Sequence, residues 1–329
     1  MEDSSINERV PLAPQQDFPP SDDQEAPSMS MRMTTTHGND DSPADIRVSA
    51  DSQENEGIAE AGLFVATSIT TSLDMDEWKR KIHKLQLTSL VVAHVLAIVL
   101  VVLVAQWVHQ LGGLSWKAGQ AKLIFNWHPL LMILAFCFMT VSSLSFRYHQ
   151  FGLLQQHRRS TAKLLHGIGW FIAVACMSMG VVAAFFSHND RASGFIANLY
   201  SLHSWVGITV LLLYLVQFLV GVGAFALPLG GINSISAVTK AKILQVHTFF
   251  GPILYLSIML TILLGIQEKE GFIGCGYKVD APDMVPFQHF SKIPAICKQS
   301  HAMGFCILLM GLCTMFALHQ MDRTKYRQH

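Results

Sequence analysis

Four histidines of this chain fall inside long apolar stretches: His128, His166, His203 and His247. A histidine in hydrocarbon is costly unless it is paired, so each is a functional candidate by position alone. Each lies a few residues into its own stretch, and consecutive spanning helices run in opposite directions. His128 and His203 therefore share one depth, and His166 and His247 share another near the opposite face. Neutral imidazole is a ligand for haem iron. When both axial positions are filled by protein, outer-sphere electron transfer is the natural role. Two pairs of facing imidazoles are what two bis-histidine haems need, and such an arrangement would carry electrons across a bilayer.

A macrocycle held between helices needs thin points where its face meets them. Gly167, Gly207, Gly221, Gly223 and Gly251 all lie near the four histidines. Small residues also serve ordinary helix packing in membranes, so they add little by themselves. The remaining histidines act as a control. His94 has no partner at its depth in the last apolar stretch, and His301 and His319 sit at the ends of that stretch. His83, His109, His149, His157 and His289 lie in loops or flanks. Zinc fits poorly, because there is no HExxH and no Cys/His cluster at the usual ligand spacing.

The elements that must position these residues are membrane helices. Of 329 residues, 51% are hydrophobic and 14% charged, against about 25% charged in an ordinary soluble domain. Net charge is zero and no long basic run occurs, which speaks against a nucleic-acid partner. A spanning helix needs roughly 20 apolar residues. Six stretches qualify: Leu87–Val108, Phe125–Phe146, Ala162–Phe186, Leu199–Phe225, Ile243–Ile266 and His301–Leu318. The expected fold is an all-α membrane protein of six helices, with the middle four bundled around the histidines and the lipid bilayer around the whole. Residues 1–80 are rich in Asp, Glu, Ser, Pro and Met and read as a disordered tail. Residues 81–320 form the helical domain and residues 321–329 a short C-terminal tail.

Positive charge sets the orientation. Lys79, Arg80, Lys81 and Lys84 precede the first helix; Arg147, Arg158, Arg159 and Lys163 lie between the second and third. Lys240 and Lys242 lie between the fourth and fifth, and Arg323, Lys325 and Arg327 follow the sixth. Both termini are expected in the cytosol, with His166 and His247 on the cytosolic side. The long loop from Gln267 to Ser300 then faces a lumen or the exterior, where disulfides persist. It holds Cys275 and Cys297, which are expected to pair; two free thiols are the alternative.

Short motifs around the histidines resemble those of the cytochrome b561 family. Phe125-Asn126-Trp127-His128-Pro129 is similar to the family's FNxHP, and Lys163-Leu164-Leu165-His166-Gly167 to its KxLHG. Asn198 to Trp205 reads NLYSLHSW, nearly letter for letter the family's fourth-helix motif. Gln245-Val246-His247 with Phe249-Phe250-Gly251 resembles the fifth-helix ligand region. The resemblance covers about Leu87 to Leu318. It implies two haem b groups, one held by His166 and His247 and the other by His128 and His203. It implies electron flow from cytosolic ascorbate to monodehydroascorbate or ferric iron on the far side.

Lys163, Arg159 and Arg147 match the family's basic ascorbate-site positions. The charge logic is independent of the resemblance, because ascorbate is an anion at neutral pH. The alternative for all three is positive-inside topology and lipid phosphate. His188 matches a histidine that flanks the outer substrate site, although its spacing to His203 is longer here. Trp170 stands where family members often carry a second histidine. The family also admits a homodimer, which no residue here specifies. The compartment stays open between an endomembrane (vacuole, lysosome or secretory vesicle) and the plasma membrane. A transmembrane ferric reductase is the alternative within the same class. A haem-free transporter or membrane scaffold is the alternative from another.

Overall fold

The structure is a computed structural model that describes residues 46–148, 159–226, 235–275 and 289–319. By compactness the chain divides into two units, Met1–Thr67 and Ser68–His329. In the first, residues 46–67 are described and are helical. The second unit holds six helices long and apolar enough to cross a membrane. The elements in chain order are α1 (Ile46–Gln110), α2 (Ala121–Phe125), α3 (Trp127–Tyr148), α4 (Arg159–His188) and α5 (Leu202–Gly221). A π turn over Val222–Ala226 follows, then α6 (Ala237–Phe272), α7 (His289–Lys292) and α8 (Ala295–Leu318). The described residues contain no strand, and the chain is an all-α, multi-pass membrane protein.

The six spans fall where the apolar runs do; five extend beyond them, while the fourth begins at Leu202 and not at the expected Leu199. Helix α1 begins at Ile46, inside the stretch read as tail. No proline stands between Pro43 and Pro129, so nothing there removes a helical N–H. Residues 1–45 of that tail, and residues 320–329, lie outside the described residues. The second expected helix is broken once, at Asn126 between α2 and α3. The buried Asn126 side chain donates to the carbonyls of Leu111 (3.3 Å) and Gly113 (2.9 Å), pinning the preceding loop beside His128. Polar caps account for two starts. Ser201 accepts from the backbone N–H of Ser204 at the head of α5, and Ser236 from that of Thr239 at the head of α6. Pro294 sets the start of α8 ahead of the expected His301.

Helices α1 and α8 flank the central four. The buried stripe of α1 is Leu90, Ala93, Ala97, Leu100, Val104 and Trp107. The buried stripe of α8 is Met303, Ile307, Met310, Thr314 and Ala317. Both repeat at alternating three- and four-residue steps, the spacing of a helix that packs along a narrow seam. Polar ties fasten the seam at both ends. At one end Arg147 Nη2 donates to Gln86 Oε1 (3.2 Å) and to the His319 carbonyl (3.4 Å), while Gln86 Nε2 donates to the same carbonyl (2.6 Å). At the other, Gln299 donates to the Leu103 carbonyl (2.8 Å) and accepts from Gln110 (2.6 Å). The faces left outward carry Phe171, Phe185, Leu212, Val216, Phe249 and Phe305, as a surface in contact with lipid requires.

Candidate functional site: two facing histidine pairs

The four helices α3 to α6 share one register. His166 lies against Ser142, fourteen residues after His128 on α3, and His128 lies against Gly180, fourteen residues after His166 on α4. His203 lies against Thr261, fourteen residues after His247 on α6. Gln217, fourteen residues after His203 on α5, lies against His247. Fourteen residues of helix rise about 21 Å, so two histidine levels are separated by about 21 Å within a hydrocarbon core of about 30 Å. Each histidine is thus held by the neighbouring helix of its own hairpin, α3 with α4 or α5 with α6, and faces a histidine of the other hairpin.

The facing geometry suits one metal between two imidazoles. Ring centres of His128 and His203 lie 6.0 Å apart, and those of His166 and His247 lie 6.4 Å apart. Two metal–imidazole bonds of about 2 Å each, plus the half-rings behind them, put ring centres about 6 Å apart when both rings point at one metal. The ring planes cross at 80° and 73°. A carbonyl oxygen can only accept, so a ring Nδ1 bonded to one must carry the hydrogen, and Nε2 keeps the lone pair. His128 Nδ1 donates to Gly180 (3.0 Å), His203 Nδ1 to Thr261 (3.0 Å) and His166 Nδ1 to Ser142 (3.3 Å). Such a bond fixes the tautomer and orientation of a metal-ligating histidine. Among the described residues no third His, Cys, Asp or Glu completes a metal cluster. Two imidazoles alone suit an iron already held in a macrocycle. His94, by contrast, is satisfied within the protein: Nδ1 bonds the Leu90 carbonyl (2.7 Å) and Nε2 the Tyr148 hydroxyl (2.6 Å).

Glycine makes room for two of the rings. A β-carbon on Gly265 would stand 2.8 Å from Cε1 of His203 and 3.2 Å from both its nitrogens. One on Gly221 would stand 3.3 Å from Cε1 of His247. Gly221 is among the glycines picked out by sequence; Gly265 is not. The signal was nevertheless present, since each glycine follows the histidine of its own helix by eighteen residues. Apart from its own turn of helix, Gly167 has no protein atom within 4 Å of where its β-carbon would be, consistent with a thin point beside His166.

The candidate substrate residues separate into different settings. Lys163 is exposed, one turn before His166. Arg159 opens α4, and its side chain lies outside the described residues. Arg147 is buried, 5% exposed, and turned toward α1 and the end of α8. The carboxyl end of a helix offers orphan carbonyls and partial negative charge, and a cation is stabilised there. At the other level His188 stacks on Phe125 (6.2 Å, 1°), which in turn packs on His128 (5.5 Å). Tyr200 packs on His188 and donates to Glu268 Oε1 (2.7 Å), while Ser201 donates to Glu268 Oε2 (2.9 Å). Burial, reinforced by the Glu268 carboxylate, pushes the Tyr200 phenol up from its ordinary range, so it remains a proton donor. Lys269 Nζ lies 4.7 Å over the Phe125 ring. Neither Glu268 nor Lys269 is picked out as a site residue by sequence, because charges in a loop are usually solvated.

Beyond this end of α6, Cys275 and Cys297 are joined by a disulfide with Cα atoms 5.8 Å apart. Glu270 accepts from Ser300 and lies 3.4 Å from His301 Nε2, a second tie between α6 and α8. Trp170 stands one turn past His166, with ring centres 5.7 Å apart, and stacks on Tyr214 at 5.4 Å.

Six membrane helices place two facing imidazole pairs between the middle four, an arrangement that suits an iron macrocycle at each level. The family model of eukaryotic cytochrome b561 matches residues 127–273. A probable ascorbate-specific transmembrane electron transporter of Oryza sativa subsp. japonica is 36% identical over 183 residues, covering 55% of this chain and 73% of the relative. A transmembrane ascorbate ferrireductase of Arabidopsis thaliana is 36% identical over 186 residues, covering 56% and 72%. A plasma membrane ascorbate-dependent reductase of Xenopus laevis is 30% identical over 230 residues, covering 70% and 73%. The chain belongs to the cytochrome b561 family, whose cofactor is haem b.

Proposed function

We propose that the protein is an oxidoreductase that moves single electrons from ascorbate in the cytosol, through two haem b groups, to monodehydroascorbate on the far side of a membrane. The observation that carries this reading is the pair of facing imidazole couples, 6.0 and 6.4 Å between ring centres, at levels fourteen helical residues apart. Haem b supplies, when bound, an iron that cycles between ferric and ferrous without exchanging ligands. His166 and His247 would hold it at the cytosolic level, and His128 and His203 at the outer one. The carbonyls of Ser142, Gly180 and Thr261 keep three of these rings in the tautomer that presents Nε2. The helices supply a dry matrix and divide the bilayer into shorter electron steps.

At the cytosolic mouth, exposed Lys163 would attract and orient the ascorbate monoanion, with Arg159 as a second candidate. One ascorbate monoanion gives up an electron and a proton there and leaves as monodehydroascorbate. Arg147 reads better as a clamp on the end of α8 than as a substrate contact. On the outer side one monodehydroascorbate takes up an electron and a proton and becomes ascorbate. His188, beside Phe125 and Tyr200, is the candidate to line that mouth. Orientation follows the basic cytosolic flanks, with both termini in the cytosol, in an endomembrane or the plasma membrane. A homodimer is part of this reading by kinship alone. The ferrireductase name of the Arabidopsis thaliana relative favours a second outer acceptor, a ferric chelate.

Vesicles loaded with ascorbate and reconstituted with the protein separate the two acceptors. External monodehydroascorbate is expected to reoxidise the cytochrome faster than a ferric chelate at equal concentration. The reverse order transfers the proposal to the ferric reductase. Reduction by neither ascorbate nor any external donor would leave a transporter or scaffold as the reading.

A further inference from the structure

The fourfold register has one exception, and it lies at His247. Three fourteenth-residue carbonyls, those of Ser142, Gly180 and Thr261, accept from a histidine Nδ1. The fourth position is Gln217, and its contact runs the other way: Gln217 Nε2 donates to the carbonyl of His247 at 2.8 Å. Ser142 shows what the complete contact looks like, since its Oγ donates to the His166 carbonyl (3.2 Å) while its own carbonyl accepts from the His166 ring. His247 Nδ1 is buried and has no hydrogen-bond partner among the described residues. What faces it from α5 is Gly221, whose added β-carbon would stand 3.8 Å from Nδ1. The π turn begins at the next residue, Val222, so α5 changes geometry at this point.

A ring N–H that donates to a carbonyl makes the opposite nitrogen a more basic ligand. Hydrogen bonding of an axial ligand is one of the levers by which a protein tunes haem iron. Both outer ligands donate at 3.0 Å; of the cytosolic ligands one donates at 3.3 Å and the other meets no acceptor among the described residues. We infer that Gly221 keeps His247 the weakest donor of the four, so that the His166/His247 pair favours ferrous iron more than the His128/His203 pair does. The inference rests on the reading of the four histidines as haem ligands. It assigns the order of the two sites and the residue responsible. Electrons entering from the cytosol would then be held first at the site with the greater hold on them.

Redox titration followed by optical absorption tests this on purified protein. His128→Ala leaves the cytosolic pair as the only complete pair, and His166→Ala leaves the outer one. The His128→Ala protein should titrate at the higher midpoint. Gly221→Ser brings a hydroxyl acceptor within reach of His247 Nδ1 and should lower that midpoint in the His128→Ala background; Gly221→Ala adds only bulk and should lower it less. A higher midpoint for the His166→Ala protein overturns the inference, as does an equal shift from serine and alanine. If Gly221→Ser loses its haem, the order of the two single-pair proteins still decides. Absence of a haem band in all of them, wild type included, sinks the functional reading itself.

Discussion

Gly265 and Lys163 carry the clearest single-residue consequences. A methyl on Gly265 meets the His203 ring at 2.8 Å, closer than real β-carbons come, so Gly265→Ala must displace that ring. The expected result is loss of about half the haem absorption, all of it from the outer pair, with the cytosolic haem still reducible by ascorbate. Retention of both haems would mean that α6 gives way more easily than packed helices do. Lys163 is exposed beside His166. Lys163→Gln should raise the KM for ascorbate about tenfold, the equivalent of one charge-assisted contact of roughly 1.4 kcal/mol. Lys163→Arg should recover most of it, with the spectrum unchanged in both. An unaltered KM would return Lys163 to the role of a topology charge. The four histidines were legible in the sequence because a polar ring in an apolar run stands out. Their carbonyl acceptors were not, because every residue has a carbonyl and only folding selects which one is used. Gly265 escaped notice because a residue without a side chain signals only through spacing.

At the scale of elements, the helices outside the central four act as a frame. Arg147 and Gln86 bind the end of α8 to α3 and α1. Arg147→Ala leaves Gln86 and a helix-end carbonyl short of a charged donor, at a cost of about 1.5–3 kcal/mol. It should lower the thermal midpoint by several degrees while leaving the ascorbate KM unchanged. A raised KM with an unchanged midpoint would restore Arg147 to the substrate site. The loop after α4 is tied by Asp190, which accepts from Ser193 Oγ (2.5 Å), the Gly119 N–H (2.8 Å) and the Ala192 N–H (3.3 Å). The Ser193 hydroxyl, aided by these backbone donors, holds the Asp190 carboxyl below the ordinary carboxylate range. A depressed folded-state value means stability that is present above about pH 4 and is lost as pH falls through the folded value. Thermal midpoints measured from neutral pH downward should show that acid-side loss, and Asp190→Asn should flatten it. Equal acid slopes in the two proteins would contradict the assignment. Apolar length announced all six helices, but not their ends. The ends follow from caps at Ser201 and Ser236 and from polar partners such as Glu270 with Ser300, which composition counts as loop.

The central four helices form two hairpins, α3 with α4 and α5 with α6, each carrying one histidine for each level. The pairing of levels was legible because consecutive helices alternate in direction. The common fourteen-residue register was not, since it needs both hairpins side by side. It shows how one chain holds two histidine levels: each central helix supplies a histidine at one level and a contact to a histidine at the other. The most direct test is the ascorbate-reduced minus oxidised absorption spectrum of membranes containing the wild type, His203→Ala and His166→Ala. The expected result is a sharp α-band in the wild type that falls by about half in each variant. A wild-type protein correctly inserted and supplied with haem, yet showing no α-band, would contradict the account.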